Sequence, residues 1–271
     1  MPHSKLLWRK QDGRKIMHCD GKLAVVTGGS AGIGREITLQ LAAEGWDVAV
    51  CNLHEDEHAI SLVKEVEALG RRCLFTACDV GDKSQLQDFY QQVVTDFDCA
   101  PRLIVNNAGV QTWAPLLELQ EEDWDRVIRT NLKGAFLNIQ LAARLMVERK
   151  TPGSIVNIGS GCNKLAFPNL VDYAASKGGI EMLTKSAAVE LGQHGIRVNC
   201  VAPGGILIDR TREEAPDYAD VWGNIAPLGR VGMPEDIANA VSYLADEKAS
   251  FVTGQTLWVD GGVFTKANWP Y

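Results

Sequence analysis

Two groups of residues in this 271-residue chain combine type and spacing in a way that could do chemistry. Tyr173 and Lys177 stand four apart in a stretch of helical periodicity, which stacks them on one face. An ammonium beside a phenol favours the phenolate, so such a pair can give a proton to, or take one from, a bound oxygen. The same spacing in an arbitrary helix is an ordinary surface pair, and the pair needs company to mean more. The second group is Thr27-Gly28-Gly29-Ser30-Ala31-Gly32-Ile33-Gly34, set between an apolar run and a helical pattern. Glycines at 28, 32 and 34 allow a tight turn, let backbone N–H groups approach a pyrophosphate, and let the helix pack close to the sheet. The helix N-terminus then faces the anion. A triphosphate loop is excluded, because Arg35 and not Lys-Ser/Thr follows the last glycine.

The elements that must position these groups alternate along the chain. Strand-like runs are expected at 23–27, 48–51, 72–78, 103–106, 154–158, 197–201 and 256–259. Helical patterns fall at 33–44, 56–69, 83–97, 121–149 with an interruption near Asn131, 173–192 and 234–245. That order predicts an α/β fold, a single doubly wound Rossmann domain with a parallel seven-stranded sheet over residues 21–262. Residues 1–20 read as a basic extension, either a disordered tail or a start placed ahead of Met17, and 263–271 as a C-terminal tail.

At this point the chain resembles the short-chain dehydrogenase/reductase family, from about residue 21 to 262. The family's T-G-x-x-x-G-I-G loop stands at Thr27 to Gly34, its Asp-Val at Asp79-Val80, its N-N-A-G at Asn106 to Gly109, and its Y-x-x-x-K at Tyr173 to Lys177. The resemblance implies a nicotinamide cofactor and interconversion of a secondary alcohol and a carbonyl. It implies a catalytic tetrad of Asn131, Ser160, Tyr173 and Lys177, with Ser160 binding the substrate oxygen and Asn131 holding a water in a proton relay. Cofactor contacts carry over to Gly28, Ser30, Gly32, Ile33, Gly34, Asn52, Asp79, Val80, Asn107, Ala108, Gly109, Tyr173, Lys177, Pro203, Gly204 and Ile206. Ile208 stands where the family often has a Thr that binds the carboxamide, so backbone near Ile206 is left to hold that group. Residues 205–226 read as a lid, with Trp222 facing substrate or serving as packing.

Asn52 carries neither the acid of NAD-specific relatives nor a basic residue for a 2′-phosphate. The neighbouring Glu55, Asp56 and Glu57 disfavour that phosphate, so NAD is expected and NADP remains open. Two substrate readings compete. A sugar or polyol dehydrogenase fits the 173–179 run and the aromatic tail with Phe264, Trp269 and Tyr271, which is long enough to cover a neighbouring subunit's site or else frays. An acyl-carrier-protein ketoreductase fits broadly, but carrier docking uses basic residues at positions held here by Thr151 and His194. The sugar or polyol is the expectation and the 3-oxoacyl thioester the alternative. A silent dinucleotide sensor is the reading of another class, opposed by the retained Tyr173 and Lys177.

Composition narrows the partners. A net charge of −7 argues against a surface that neutralises phosphates along a nucleic acid. No uncharged stretch supplies the roughly 20 apolar residues of a membrane span. Seven cysteines without a C-x-x-C pair fit reduced thiols in the cytoplasm better than a disulfide framework or a zinc site. No metal is expected. The family's habit of pairing its two long helices between subunits implies a homotetramer.

Overall fold

The computed structural model describes residues 21–267. In chain order the elements are β1 (Leu23–Thr27), α1 (Gly32–Ala43), β2 (Asp47–Asn52), α2 (Glu57–Ala68), β3 (Cys73–Ala77), α3 (Lys83–Phe97) and β4 (Leu103–Asn106). There follow α4 (Glu121–Val127), α5 (Gly134–Glu148), β5 (Gly153–Ile158), α6 (Val171–Leu191), β6 (Ile196–Pro203), α7 (Asp209–Glu214), α8 (Tyr218–Ile225), α9 (Pro234–Ala245) and β7 (Thr256–Val259). All seven strands lie parallel in the order β3-β2-β1-β4-β5-β6-β7. The expected seven-stranded parallel α/β fold is the one observed.

The strands read as continuous apolar runs because helices cover both faces of the sheet. Alternation sends Leu23 and Val25 of β1 to a core under α3 and α5, and Ala24 and Val26 to a second core under α1 and α9. Helix starts follow local chemistry. Asp56 accepts from the Ala59 N–H at the head of α2, Asp82 from the N–H groups of Ser84 and Gln85 at the head of α3, and Pro234 opens α9.

Strand order reverses between β1 and β4, since β1 leads outward to β2 and β3 while β4 leads the other way. A crevice opens outside the carboxyl ends of strands at such a switch point. The interruption expected near Asn131 is a π-helical turn over Ile128–Lys133 joining α4 to α5. Two features depart from the sequence reading. Residues 205–226, read as a lid, carry two short helices, α7 and α8, for which no helical pattern is expected. The tail neither frays nor reaches away at its start, because Phe264 folds back onto its own subunit beside Phe167 and Trp258. Trp269, Tyr271 and the basic 1–20 segment lie outside the described residues. No helix among the described residues is long and apolar enough to cross a membrane, and no cluster there suits a metal ion.

Candidate active site

The loops leaving β1 and β4 are stitched together across the switch point. The Thr27 hydroxyl accepts the N–H groups of Asn107 and Ala108, each at 3.1 Å. The Asn107 amide donates back to the carbonyls of Thr27 (3.1 Å) and Gly28 (3.0 Å). Gly34 is obligatory here: a Cβ built on it would fall 2.2 Å from the Gly28 oxygen and 2.4 Å from the Asn107 amide nitrogen. Gly28 itself sits at φ +63°, where side chains are strained.

Below this stitch runs a cleft of about 880 Å³ lined by Gly28, Gly32, Ile33, Gly34, Asn52, Asp79, Val80, Asn107, Ala108 and Gly109, which brings these expected cofactor-contact residues to one surface. The backbone cleared by glycine at the head of α1 fits a pyrophosphate. Ser30 is the exception. It is fully buried, and its hydroxyl accepts from the Asn52 amide at 2.6 Å, so it orients Asn52 from behind the wall. The Asn52 oxygen takes the Leu53 N–H. Asp79 accepts the Gly81 N–H at 2.8 Å and pairs with Arg129, a partner fifty residues away that no motif marks.

At its other end the cleft continues into a cavity of about 330 Å³, Ile33, Asn107, Gly109, Ile208 and Arg210 lining both. This cavity holds Ser160, Tyr173 and Lys177 together with Pro203, Gly204 and Ile206. Ser160 follows β5 in extended conformation and caps the short turn Gly161–Asn163, its hydroxyl accepting the Cys162 N–H at 3.2 Å. Tyr173 and Lys177 come from the first two turns of α6. Lys177 is almost wholly buried. Its ammonium donates to the Ile158 carbonyl at 2.7 Å and lies 5.4 Å from the centre of the Tyr173 ring. A cation held by a backbone dipole next to a phenol, with a serine hydroxyl in the same cavity, can bind an oxygen and exchange a proton with it.

Asn131 stands one layer behind. Its oxygen accepts the Val110 N–H and its amide donates to the Val110 carbonyl (both 2.8 Å) and to the Ser176 hydroxyl at 3.0 Å. It lines neither cavity, and it ties the loop after β4 to α6. Ile208 packs against Gly32, and its N–H goes to the Thr211 hydroxyl at 2.9 Å. Trp222 packs so closely on Gly205 that a Cβ there would fall 2.2 Å from its ring, and it also lines the cavity. Burial pushes the Cys162 thiol up, opposed by the Ser160 hydroxyl and the charge of Lys177. Phe167 also lines the cavity, in the stretch after Ser160 where substrate contacts are expected, and Phe264 lines it from the same chain, whereas the sequence offered it for a neighbouring subunit's site or a frayed end. The aromatic content of the tail was the available signal for Phe264.

A family model described as enoyl-(acyl carrier protein) reductase matches residues 28–264. The 3-oxoacyl-[acyl-carrier-protein] reductase FabG of Staphylococcus aureus is 41% identical over 243 residues, covering 90% of this chain and 98% of that protein. The (3R)-3-hydroxyacyl-CoA dehydrogenase of Rattus norvegicus is 41% identical over 249 residues, covering 89% and 96%. A crystal structure of a short-chain type dehydrogenase/reductase from Mycobacterium marinum superposes with TM-score 0.85 at 34% identity, covering 91% of this chain and 96% of that one. With the glycine-cleared cleft at the switch point opening onto Ser160, Tyr173 and Lys177, the chain belongs to the short-chain dehydrogenase/reductase family, as an NAD(P)-binding oxidoreductase acting on alcohol and carbonyl groups.

Proposed function

We propose that this enzyme interconverts 3-oxoacyl and 3-hydroxyacyl thioesters. The observation that carries the reading is likeness over nine-tenths of the chain to two enzymes whose named substrates share that group, on an acyl carrier protein in one and on coenzyme A in the other. The cavity supports it: Val110, Trp113, Phe167, Leu170, Trp222 and Phe264 present apolar walls beside Ser160. Gln111, Arg210, Thr211, Glu214 and Tyr218 also line the cavity, so the preference for an acyl chain rests on the apolar walls beside Ser160 together with the likeness to the two thioester enzymes. Support therefore runs to the thioester and away from the sugar or polyol. Thr151 and His194 bring no permanent positive charge for an acidic carrier, which favours the coenzyme A thioester.

In this reading the substrate oxygen sits between the Ser160 hydroxyl and the Tyr173 phenol. Ser160 donates to it and stabilises the charge that grows there. Tyr173 supplies the proton in the reductive direction and removes it in the oxidative one. Lys177, fixed by the Ile158 carbonyl beside the Tyr173 ring, would also reach the ribose end of the cofactor. Asn131 is a positioning residue that sets Val110 and α6 relative to each other. NAD(P), when bound, supplies the hydride or accepts it. NAD is the proposed form, because Arg35 beside the loop is engaged by Glu65 at 2.7 Å and by the Ser30 and His58 carbonyls. Exposed Phe136, Met182 and Val189 on α5 and α6 support self-association into the expected tetramer, which sedimentation would reveal.

The test is kcat/KM for 3-oxoacyl-CoA, 3-oxoacyl carrier protein, aldoses and polyols with each dinucleotide. Turnover of sugars alone defeats the thioester reading, and a preference above about tenfold for NADP defeats the choice of NAD. Tyr173→Phe should lower turnover by about 10²-fold or more while leaving cofactor affinity intact.

A further inference from the structure

One wall of the cavity comes from beyond the last strand. Gly161 directly follows Ser160, and a Cβ built on it would fall 2.2 Å from the Phe264 ring, so glycine leaves the room the ring occupies. Phe264 is held from both ends. Its N–H donates to one Asp260 oxygen at 3.0 Å while the other accepts the Gly262 N–H at 2.8 Å, which fixes the turn after β7. Its ring meets Phe167 edge-on at 5.9 Å and 81°, and Trp258 at 6.2 Å and 72°. Phe167 and Phe264 line the same cavity as Ser160 and Tyr173, and its volume of about 330 Å³ is at the low end of the roughly 300–1,000 Å³ usual for ligand pockets.

We propose that Phe264 is a specificity-determining residue that ends the apolar arm of the cavity beside Ser160 and restricts the enzyme to carbonyl substrates with a short apolar substituent. The naming of that substituent as an acyl chain rests on the thioester reading. The limit on its size rests on the aromatic wall alone. A ring packed against Phe167 and Trp258, on a backbone pinned by Asp260, does not swing aside cheaply, so a longer chain meets it as a fixed stop.

The experiment measures kcat/KM for 3-oxoacyl-CoA thioesters of increasing chain length, with a parallel series of simple ketones of graded size. The wild type should fall off with length. Phe264→Ala should raise the long-to-short ratio at least about tenfold, since a single methylene in an apolar pocket is worth about 10–200-fold. Phe264→Leu should shift the ratio the same way by less, and decides the matter if thermal melting shows the alanine variant unfolded. Gly161→Ala, which drives the ring from its seat, should change the ratio as well. If thioesters turn over but the ratio is unmoved in the Phe264 variants, the inference is overturned and the thioester reading stands. If no thioester turns over, the thioester reading falls, and the ketone series judges the inference by the same ratio, an unmoved value overturning it.

Discussion

A chain of buried amides crosses the sheet next to the site, and replacing its middle member should be among the most damaging single changes away from the cofactor. The Tyr90 hydroxyl donates to Asn138 at 2.7 Å, Asn138 to Asn106 at 2.7 Å, Asn106 to Asn157 at 2.7 Å, Asn157 to the Thr184 hydroxyl at 2.8 Å, and Thr184 to the Ile180 carbonyl at 2.8 Å. Each of the five side chains is buried. Asn106→Ala leaves the Asn138 amide without its acceptor and the Asn157 oxygen without its donor. An orphaned buried group costs about 1–3 kcal/mol, so the pair costs about 2–6 kcal/mol. For a chain of this size that lowers Tm by on the order of 5–20 °C. Thermal and urea unfolding at fixed protomer concentration measure it, since self-association shifts Tm by mass action. Asn138→Leu in the Asn106→Ala background removes the stranded amide, so the double variant should lose less than the two single losses together by about 1–3 kcal/mol. Strict additivity, or a Tm within about 2 °C of wild type for Asn106→Ala, would refute the claim that these amides act as one connected chain.

Three further outcomes follow from local geometry. Gly34→Ala places a methyl group against the Gly28 oxygen and the Asn107 amide, so NADH titration by fluorescence should show affinity weakened about 5- to 150-fold, as overpacking of about 1–3 kcal/mol implies; unchanged affinity would contradict the stitched-loop account. Two Arg230 contacts at 2.7 Å, and the Met233 N–H, hold the Asp236 carboxyl below the usual carboxylate range. A folded-state value lower than the unfolded one stabilises fully above about pH 4 and is lost as pH falls through the folded value; the Tm deficit of Asp236→Asn, small for so exposed a pair, should therefore shrink as pH is lowered below about 4, and a deficit that stays constant into acid contradicts it. Burial keeps the Cys162 thiol protonated at neutral pH, so iodoacetamide should label it far more slowly in the folded than in the denatured protein at pH 7, read by mass spectrometry; equal rates would contradict that burial.

The parts of the fold legible in the sequence are those whose signals are local. Residues 83–97, 103–106, 234–245 and 256–259 form elements with the expected bounds, because Asp82 and Pro234 punctuate the chain and Leu103-Ile-Val-Asn106 is an unbroken buried run. The π-turn at Ile128–Lys133 was visible only as an interruption. Its shape answers to the Asn131 carboxamide reaching Val110, twenty-one residues away. The lid helices α7 and α8 are too short to impose a period, and α7 leans on the Thr211 hydroxyl bonding back to Ile206 and Ile208. Phe264 was misplaced for a similar reason: its partner is a glycine about a hundred positions earlier, and a glycine advertises no contact. Ser30 was counted as a cofactor contact from motif position, while its burial depends on Asn52 folding over it.

The amide chain and Lys177 are solutions to one problem set by the topology. Pairing of β4 with β5 ends at Asn106 opposite Asn157, because β4 turns away there to meet the loop after β1. The next residue on β5, Ile158, therefore has no strand beside it on that side, as Gly159 directs its N–H to Val201 on the other. A buried carbonyl left over at a parting of strands must find a donor. Lys177 supplies it at 2.7 Å, and in doing so is fixed beside Tyr173. The switch point that opens the cofactor crevice thus also creates the acceptor that seats the lysine, and Asn106 and Asn157 hold the two strands in register up to the last paired position before they part.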